Sequence, residues 1–219
     1  MESAVRNLLY QRPELYEAVY DGENHAVPRM CDRLFTRYLG RTPDSLLDIG
    51  CGTGRDLEYL AKSCPDCVGV DYQDAMIDYA RVRRPGIEFR TGDMRCFRLG
   101  RTFEAIVSFG YAVANVHANT DLDRVMATYT AHARPGTLLV VEVINTAAGV
   151  GGTGLPRRFA IDTPGFRADA TAEYRVDARR QLLVRRRTWT VAGGRPVHDP
   201  QGDLTGPSLY VVARFRGRP

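Results

Sequence analysis

The sequence predicts an α/β fold in which a mostly parallel sheet carries helices on both faces. Two observations lead to this prediction. Apolar runs of strand length alternate with helical patterns between Ser45 and Asn145, as in parallel strands joined by crossover helices. A buried strand at 46–49 also leads directly into a glycine-rich loop. Ligands of such sheets bind at the carboxyl ends of the strands, so functional residues are expected immediately after each strand.

The individual elements follow from the same patterns. The expected strands are 45–49, 67–70, 87–90, 105–108 and 137–144, and the expected helices between them are 55–62, 75–83 and 122–133. Polar side chains at 119–121 (Asn119, Thr120 and Asp121) are expected to cap the last helix, and Pro135 and Gly136 are expected to end it.

The flanking segments are expected to join the same domain. Residues 13–20 and 27–39 have helical patterns, 159–191 has an extended pattern, and 209–215 is an apolar strand that should pair with the sheet. The prediction is a single domain over 1–219, with an N-terminal helical cap (1–44), a binding core (45–145) and a shortened C-terminal part (146–219) that ends in a strand. The incompletely protected sheet edge favours a homodimer.

The composition excludes several classes of protein. The chain has 219 residues, of which 44% are apolar and 26% charged, and its formal net charge is +4. This size suits one compact domain, and the apolar fraction excludes disorder. No stretch approaches the roughly 18 apolar residues of a membrane helix, and the start lacks signal-peptide features, so a cytoplasmic location without membrane association is expected. Arginines are interspersed with acids, which disfavours nucleic acid as a partner.

The segment with the clearest chemical signature is LLDIGCGTG at 46–54. Glycines allow the backbone to turn sharply and to approach a ligand closely. Asp71 ends the next strand, where a carboxylate can accept both hydroxyls of a ribose. Asp48 disfavours a pyrophosphate and favours an ammonium group, so the set favours a nucleoside joined to an amino acid. A nicotinamide oxidoreductase is the weaker alternative, because it needs a glycine where Arg55 stands.

On these residues the chain resembles the class I S-adenosylmethionine-dependent methyltransferases, which have a Rossmann-like fold. The further matching motifs are VGVD at 68–71, GDM at 92–94, FEAIVS at 103–108 and RPGTLLVVE at 134–142. The resemblance implies S-adenosylmethionine as the cofactor. The implied cofactor-binding residues are Tyr20, Asp48, Gly50, Gly52, Gly54, Asp71, Tyr72, Met76, Asp93, Met94, Ser108 and Phe109.

The resemblance also assigns these residues to parts of the cofactor. The three glycines would cradle the methionine portion, and Asp71 would hold the ribose. Tyr72 and Met76 would pack near the adenine ring, and Asp93 and Met94 would recognise the edge of that ring. Ser108 and Phe109 would border the sulfonium. No metal is expected, because the stretch after the fourth strand lacks the Asp and Asn ligands of catechol-type methyltransferases.

A narrower likeness concerns the acceptor. The phrases YEAVYD at 16–21, GDMRCFRLGRTFEAIVS at 92–108 and LTGPSLYVVARF at 204–215 are similar to bacterial natural-product enzymes, especially aminosugar N-methyltransferases. The expected function is therefore methyl transfer to a small-molecule acceptor, with an amino group of a sugar as the first candidate. The alternatives are an O-methyltransferase of a hydroxylated scaffold and a non-catalytic methyltransferase-like binding protein, which the shortened C-terminal part favours.

Three features have two interpretations each. His117, in the loop after the fourth strand, is the candidate general base, and the alternative is an exposed loop histidine. Cys64 and Cys67 form a C-x-x-C pair that is interpreted as structural, with half of a zinc site or a redox pair as the alternative. A group of arginines is either a solvated surface or a site for the diphosphate of a nucleotide sugar: Arg175, Arg179, Arg180, Arg185, Arg186 and Arg187.

Overall fold

The computed structural model describes residues 8–20, 25–144, 158–177, 182–192, 197–199 and 208–216. The residue contacts divide the chain into two compact units. The core unit comprises Glu23–Val143 and Leu209–Pro219, and the second unit comprises Met1–Gly22 and Ile144–Ser208. The first two helices fall in the same unit as the later strands, and the single domain over 1–219 stays a prediction.

Helices and strands cover most of the described residues. The helices are α1 (Leu8–Gln11), α2 (Pro13–Tyr20), α3 (Ala26–Leu39), α4 (Arg55–Leu60), α5 (Asp74–Arg83) and α6 (Asn119–Ala131), and a 3-10 helix covers Ala112–Asn115. The strands are β1 (Ser45–Ile49), β2 (Asp66–Asp71), β3 (Glu88–Thr91), β4 (Phe103–Ser108), β5 (Ala133–Ile144), β6 (Arg158–Thr163), β7 (Phe166–Asp177), β8 (Leu182–Val191), β9 (Val197–Asp199) and β10 (Ser208–Arg214). No described helix is long and apolar enough to cross a membrane.

The core unit is built on a six-stranded sheet in the order β10-β5-β4-β1-β2-β3. Strands β1 to β5 pair in parallel. Successive residues of a strand point to opposite faces, and Leu46 accordingly packs in the cluster that contains Phe35, Leu57 and Ile77 of α3, α4 and α5. Leu47 packs in the other cluster, with residues of α6. The predicted sheet with helices on both faces is confirmed.

The predicted bounds differ at α6 and β5: α6 ends at Ala131, so Pro135 and Gly136 do not end it and instead lie within β5, which begins at Ala133. This helix begins at Asn119, and the residue that precedes it, Ala118, makes no side-chain cap. The prediction that residues 119–121 cap the helix is therefore wrong. These residues lie in its first turn, and the carboxylate of Asp121 instead forms ion pairs with Arg95 and Arg124.

The terminal strand pairs with the core sheet, as predicted. β10 lies beside β5 at the end of the strand order. Just beyond it, the N–H of Phe215 donates to the carbonyl of Thr137 at 2.9 Å, and the N–H of Gly136 donates to the carbonyl of Phe215 at 2.8 Å. Val211 on this strand is 47% exposed. Val212, the next residue of the strand, is half-buried against the core cluster that contains Phe35, and the homodimer stays a prediction.

The second unit contains an antiparallel sheet in the order β6-β7-β8-β9. Small side chains on β7 leave room for Trp189 of β8 and for Leu9 and Leu15 of the first two helices, and all of these residues are buried together. Arg187 is also buried, with its guanidinium 4.9 Å from the centre of the Trp189 ring. Of the other predicted cluster members, Arg186 is exposed. The remaining four side chains (Arg175, Arg179, Arg180 and Arg185) lie outside the described residues.

The C-x-x-C pair is buried and reduced. Cys64 and Cys67 are 2% and 8% exposed. The thiol of Cys67 donates to the carbonyl oxygen of Cys64 at 3.4 Å. This contact closes the turn that leads into β2, which agrees with the structural interpretation.

A buried histidine joins α6 to the segment before β4. His132 is 1% exposed, and its Nε2 accepts the N–H of Leu99 at 2.9 Å. Its Nδ1 lies 2.8 Å from the carbonyl oxygen of Thr128. One ring nitrogen must therefore accept while the other donates, which only the neutral imidazole can do. Burial lowers the pKa of His132, and the nearby Arg98 adds to the shift.

We expect this imidazole to make the stability of the protein depend on pH. Because the folded-state pKa lies below the ordinary value of 6.5, its contribution is complete above about pH 6.5 and is lost as the pH falls through the folded-state pKa. One such group changes the free energy of unfolding by at most about 1.4 kcal/mol per pH unit. Urea unfolding across this range should show a weaker pH dependence for His132→Gln than for the wild type.

The matched control is His117→Gln, which removes an exposed imidazole. Its unfolding free energy should follow the wild-type pH dependence. An identical pH dependence in the wild type and in His132→Gln would contradict the role assigned to the buried ring.

Candidate active site

The carboxyl ends of the parallel strands bring most of the predicted site residues to one edge of the core sheet. Ile49 lies opposite Val70, and Asp71 lies opposite Thr91. On the other side of β1, Ser108 lies opposite Val141. The loops that follow β1, β2, β3 and β4 therefore begin side by side, as expected for a sheet of this type.

The carboxylate of Asp71 fastens the glycine loop to the end of β2. Its Oδ2 accepts the N–H of Gly52 at 2.8 Å, and its Oδ1 accepts the N–H of Gln73 at 2.9 Å. Burial raises the pKa of Asp71, and backbone donors at Gln73, Gly52 and Tyr72 oppose the shift. A carboxylate has about four acceptor sites, so capacity for a hydroxyl donor remains. The assignment of Asp71 to a ribose fits this geometry and stays a prediction.

The three glycines of the loop have different surroundings. All three have positive φ, at +85° for Gly50, +56° for Gly52 and +79° for Gly54. A Cβ atom on Gly50 would lie 2.4 Å from the Cβ of Ala112, and one on Gly54 would lie 2.5 Å from the ring of Phe89. One on Gly52 would meet nothing within 4 Å. Gly50 and Gly54 are thus required by contacts within the protein, whereas Gly52 faces open space.

Asp48 is a buried carboxyl group at the end of β1. It is 2% exposed, and its Oδ1 accepts no hydrogen bond from the described residues. Burial raises the pKa of Asp48 well above its ordinary value, and the negative charges of Asp56 and Asp71 add to the shift. A buried charge without a partner is costly, so a cationic group would be stabilised here and a pyrophosphate would not. This orphaned carboxyl fits a ligand with an ammonium group.

The end of β4 is held by two buried polar side chains. Ser108 is fully buried, and its hydroxyl donates to the carbonyl of Ile49 at 2.7 Å. Glu142 of β5 is 4% exposed, and its Oε2 accepts the N–H of Gly110 at 2.8 Å. The hydroxyl of Ser108 is therefore committed to joining β4 to β1, and Phe109 beside it is buried in the core. The role of these two residues at a sulfonium stays a prediction.

Sequence reasoning did not identify Glu142 as a site residue. The contact with Gly110 places this carboxylate at the turn after β4, where Tyr111 adopts a left-handed conformation with φ of +58°. Such strain in a residue other than glycine is concentrated at functional sites. A charged residue near the end of an otherwise apolar strand was the available signal.

The residues predicted to surround an adenine have unequal exposure. Tyr72 is 49% exposed, whereas Met76 is 1% exposed, as in a core position. The Cε of Met94 would lie 3.7 Å from a Cβ on Gly50, so this side chain lies beside the glycine loop. Asp93 forms an ion pair with Arg95, a partner that sequence reasoning did not identify. The roles of these four residues at the adenine stay predictions.

Two further predicted site residues belong to other elements of the chain. Tyr20 belongs to the second unit, where its ring centre lies 4.7 Å from that of Tyr16. His117 belongs to the core unit and lies between the 3-10 helix and α6, with its side chain exposed. The roles of Tyr20 at the cofactor and of His117 as a base stay predictions.

The different surroundings of the glycines predict different costs of substitution. Both Gly50→Ala and Gly52→Ala place a side chain on a left-handed backbone. Only Gly50→Ala also forces Ala112 to move, so it should lower the free energy of unfolding by about 1–3 kcal/mol more than Gly52→Ala does. Urea unfolding of the two variants measures the difference, and equal losses would contradict the contact with Ala112.

Comparison with known proteins agrees with this geometry. Residues 46–136 match a family of methyltransferase domains. A dTDP-3-amino-3,4,6-trideoxy-glucopyranose N,N-dimethyltransferase of Streptomyces venezuelae is 35% identical over 131 residues, which are 59% of this chain and 55% of that protein. A dTDP-3-amino-3,6-dideoxy-glucopyranose N,N-dimethyltransferase of Streptomyces fradiae is 32% identical over 162 residues, which are 73% and 59% of the two chains. The chain thus matches less than two thirds of the length of these relatives.

Solved structures extend the likeness to almost the whole chain. DesVI of Streptomyces venezuelae superposes with a TM-score of 0.68 at 25% identity, over 93% of this chain and 84% of that protein. An S-adenosylmethionine-bound amino pentose methyltransferase of Micromonospora echinaspora superposes with a TM-score of 0.67 at 25% identity, over 92% and 83%. With the sheet and the glycine loop after β1, these findings show that residues 46–136 are a methyltransferase domain and that the chain has the class I Rossmann-like methyltransferase fold.

Proposed function

We propose that the chain binds S-adenosylmethionine at the carboxyl edge of the core sheet and transfers its methyl group to an amino group of a nucleotide-linked sugar. The observation that carries the first part is the buried, unpartnered Oδ1 of Asp48 next to a loop in which Gly52 faces open space. The aminosugar acceptor is supported by the substrates that name the similar enzymes of Streptomyces.

Three parts of the edge suit different parts of this cofactor. Asp48 suits its ammonium group, because a cation would offset the cost of the buried carboxylate. The open face of Gly52 lets the ligand approach the backbone. Asp71 suits the ribose, because its oxygens are already oriented by the N–H groups of Gly52 and Gln73. Charge-assisted hydrogen bonds of this type are about twice as strong as neutral ones.

The protein's contribution to the reaction is mainly positional. The bound cofactor supplies a methyl group that is already activated by a positively charged sulfur. The residues that follow β4 then have to hold the acceptor in line and exclude water. Glu142 supports this task by fixing the turn at Gly110, which leads into the 3-10 helix and on to His117.

The nitrogen of a neutral amine would take the methyl group from the cofactor, which leaves as a neutral thioether, and the methylated ammonium group must then lose a proton. We assign this proton to a ring nitrogen of His117, since a neutral imidazole has one nitrogen that can accept a proton. Its exposed position allows the proton to pass to water after each transfer. A hydroxyl acceptor would need an earlier and stronger base, which is why an amine is preferred over the O-methylation alternative.

Product analysis by mass spectrometry tests the proposal. The wild type, incubated with S-adenosylmethionine, should add one or two methyl groups to members of a panel of nucleotide aminosugars and none to phenolic or hydroxylated scaffolds. His117→Ala should lower kcat by about 10²-fold to 10⁴-fold and leave the affinity for S-adenosylhomocysteine unchanged.

The matched control is Asp123→Ala, which changes an exposed residue of α6 and should leave kcat unchanged. Methylation of the hydroxylated scaffolds alone would overturn the acceptor class. A chain that binds S-adenosylhomocysteine and methylates no member of the panel would contradict the proposed reaction and would support the non-catalytic alternative.

A further inference from the structure

Arg95 donates hydrogen bonds to the carboxylate of Asp93 from three N–H groups, two on its guanidinium and one on its backbone. Its Nε lies 3.0 Å from both Oδ1 and Oδ2, and its Nη2 lies 2.7 Å from Oδ2. Its backbone N–H also donates to Oδ1 at 2.8 Å. The hydrogen bond from the guanidinium is the largest cause of a lowered pKa of Asp93. The carboxylate is therefore held in one orientation and kept ionised.

The other end of the guanidinium reaches α6. Nη1 of Arg95 lies 3.3 Å from Oδ2 of Asp121, whose Oδ1 accepts a hydrogen bond from Arg124 at 3.0 Å. The side chains of Arg95, Asp93 and Asp121 are 31%, 23% and 19% exposed. Partial burial and the two-nitrogen contact make this network stronger than an isolated surface ion pair.

The network lies at the carboxyl edge of the sheet, beside Asp71. The N–H of Gly92 donates to the carbonyl of Asp71 at 2.8 Å. Asp93 is the next residue in the chain, so this hydrogen bond places it near the end of β2. Met94 lies beside Gly50 on the same edge. This inference rests on the proposed function: a nucleoside whose ribose is held by Asp71 has its base next to these residues.

We propose that Arg95 is a positioning residue that sets the base selectivity of the cofactor site. A carboxylate has about four acceptor sites, and Arg95 occupies most of those on Asp93. The carboxylate of Asp93 can therefore accept one further hydrogen-bond donor, and only from one direction. An ionised carboxylate can only accept, so it favours a base edge that carries an amino group and repels an edge that carries a carbonyl oxygen.

Calorimetric titration with two ligands tests this assignment. S-adenosylhomocysteine carries the amino group, and S-inosylhomocysteine carries a carbonyl oxygen in its place. The wild type should bind the first ligand at least about tenfold more tightly. Arg95→Ala should reduce this preference by about fivefold or more, mainly through weaker binding of S-adenosylhomocysteine, since the released carboxylate loses its fixed orientation.

Two further variants sharpen the test. Arg95→Lys keeps the charge and loses the planar guanidinium, so it should also reduce the preference for S-adenosylhomocysteine. This variant provides the test if Arg95→Ala fails to fold. Arg124→Ala is the control. Arg124 also pairs with Asp121, whereas among the described residues Asp93 forms its ion pair with Arg95, so the loss of Arg124 should leave the preference unchanged.

The possible outcomes distinguish this inference from the proposed function. Equal weakening of both ligands, or an unchanged preference in both Arg95 variants, would show that Arg95 is merely structural and would overturn the inference alone. Failure of the folded wild type to bind S-adenosylhomocysteine would overturn the proposed function, and the inference with it.

Discussion

The contact between the carboxylate of Asp71 and the N–H of Gly52 is the interaction on which the candidate site depends. It joins the end of β2 to the loop after β1, and the carbonyl of the same residue receives the N–H of Gly92 after β3. Three loops therefore meet at one residue. The side chain has to be a short acceptor at the end of a buried strand, because a longer one would push the loops apart and an apolar one would leave the N–H of Gly52 unpaired.

Much of this edge could be predicted from the sequence, because it depends on local patterns. β1 has the predicted bounds, and the glycines and Asp71 lie where the motifs put them. The contacts that could not be predicted join residues far apart in the sequence: Ala112 lies against Gly50, and Glu142 binds Gly110. Hydrophobic periodicity carries no information on such pairs. The same limit applies to Asp121 in the first turn of α6, because the sequence pattern did not indicate its ion pair with Arg95.

The second unit shows the same limit on a larger scale. The helical pattern of 13–20 and the extended pattern of 159–191 were both visible in the sequence, and the helix and the strands formed. Their mutual packing was not visible, because Leu9 and Leu15 are buried with Trp189, which lies 180 and 174 residues further along the chain. Apolar residues on short helices bury against whichever apolar face is available. The sequence pattern shows that these helices have apolar residues to bury. It does not identify the surface against which they pack.

The central claim is that the carboxyl edge of the core sheet binds S-adenosylmethionine through Asp71 and the adjacent glycine loop. Calorimetric titration with S-adenosylhomocysteine tests this most directly, with Asp78→Ala as a control that removes an exposed aspartate of α5. The account predicts one-to-one binding by the wild type and by the control, and binding weakened by about 1.5–3 kcal/mol in Asp71→Ala. No binding by the folded wild type, or equally tight binding by Asp71→Ala, would contradict it.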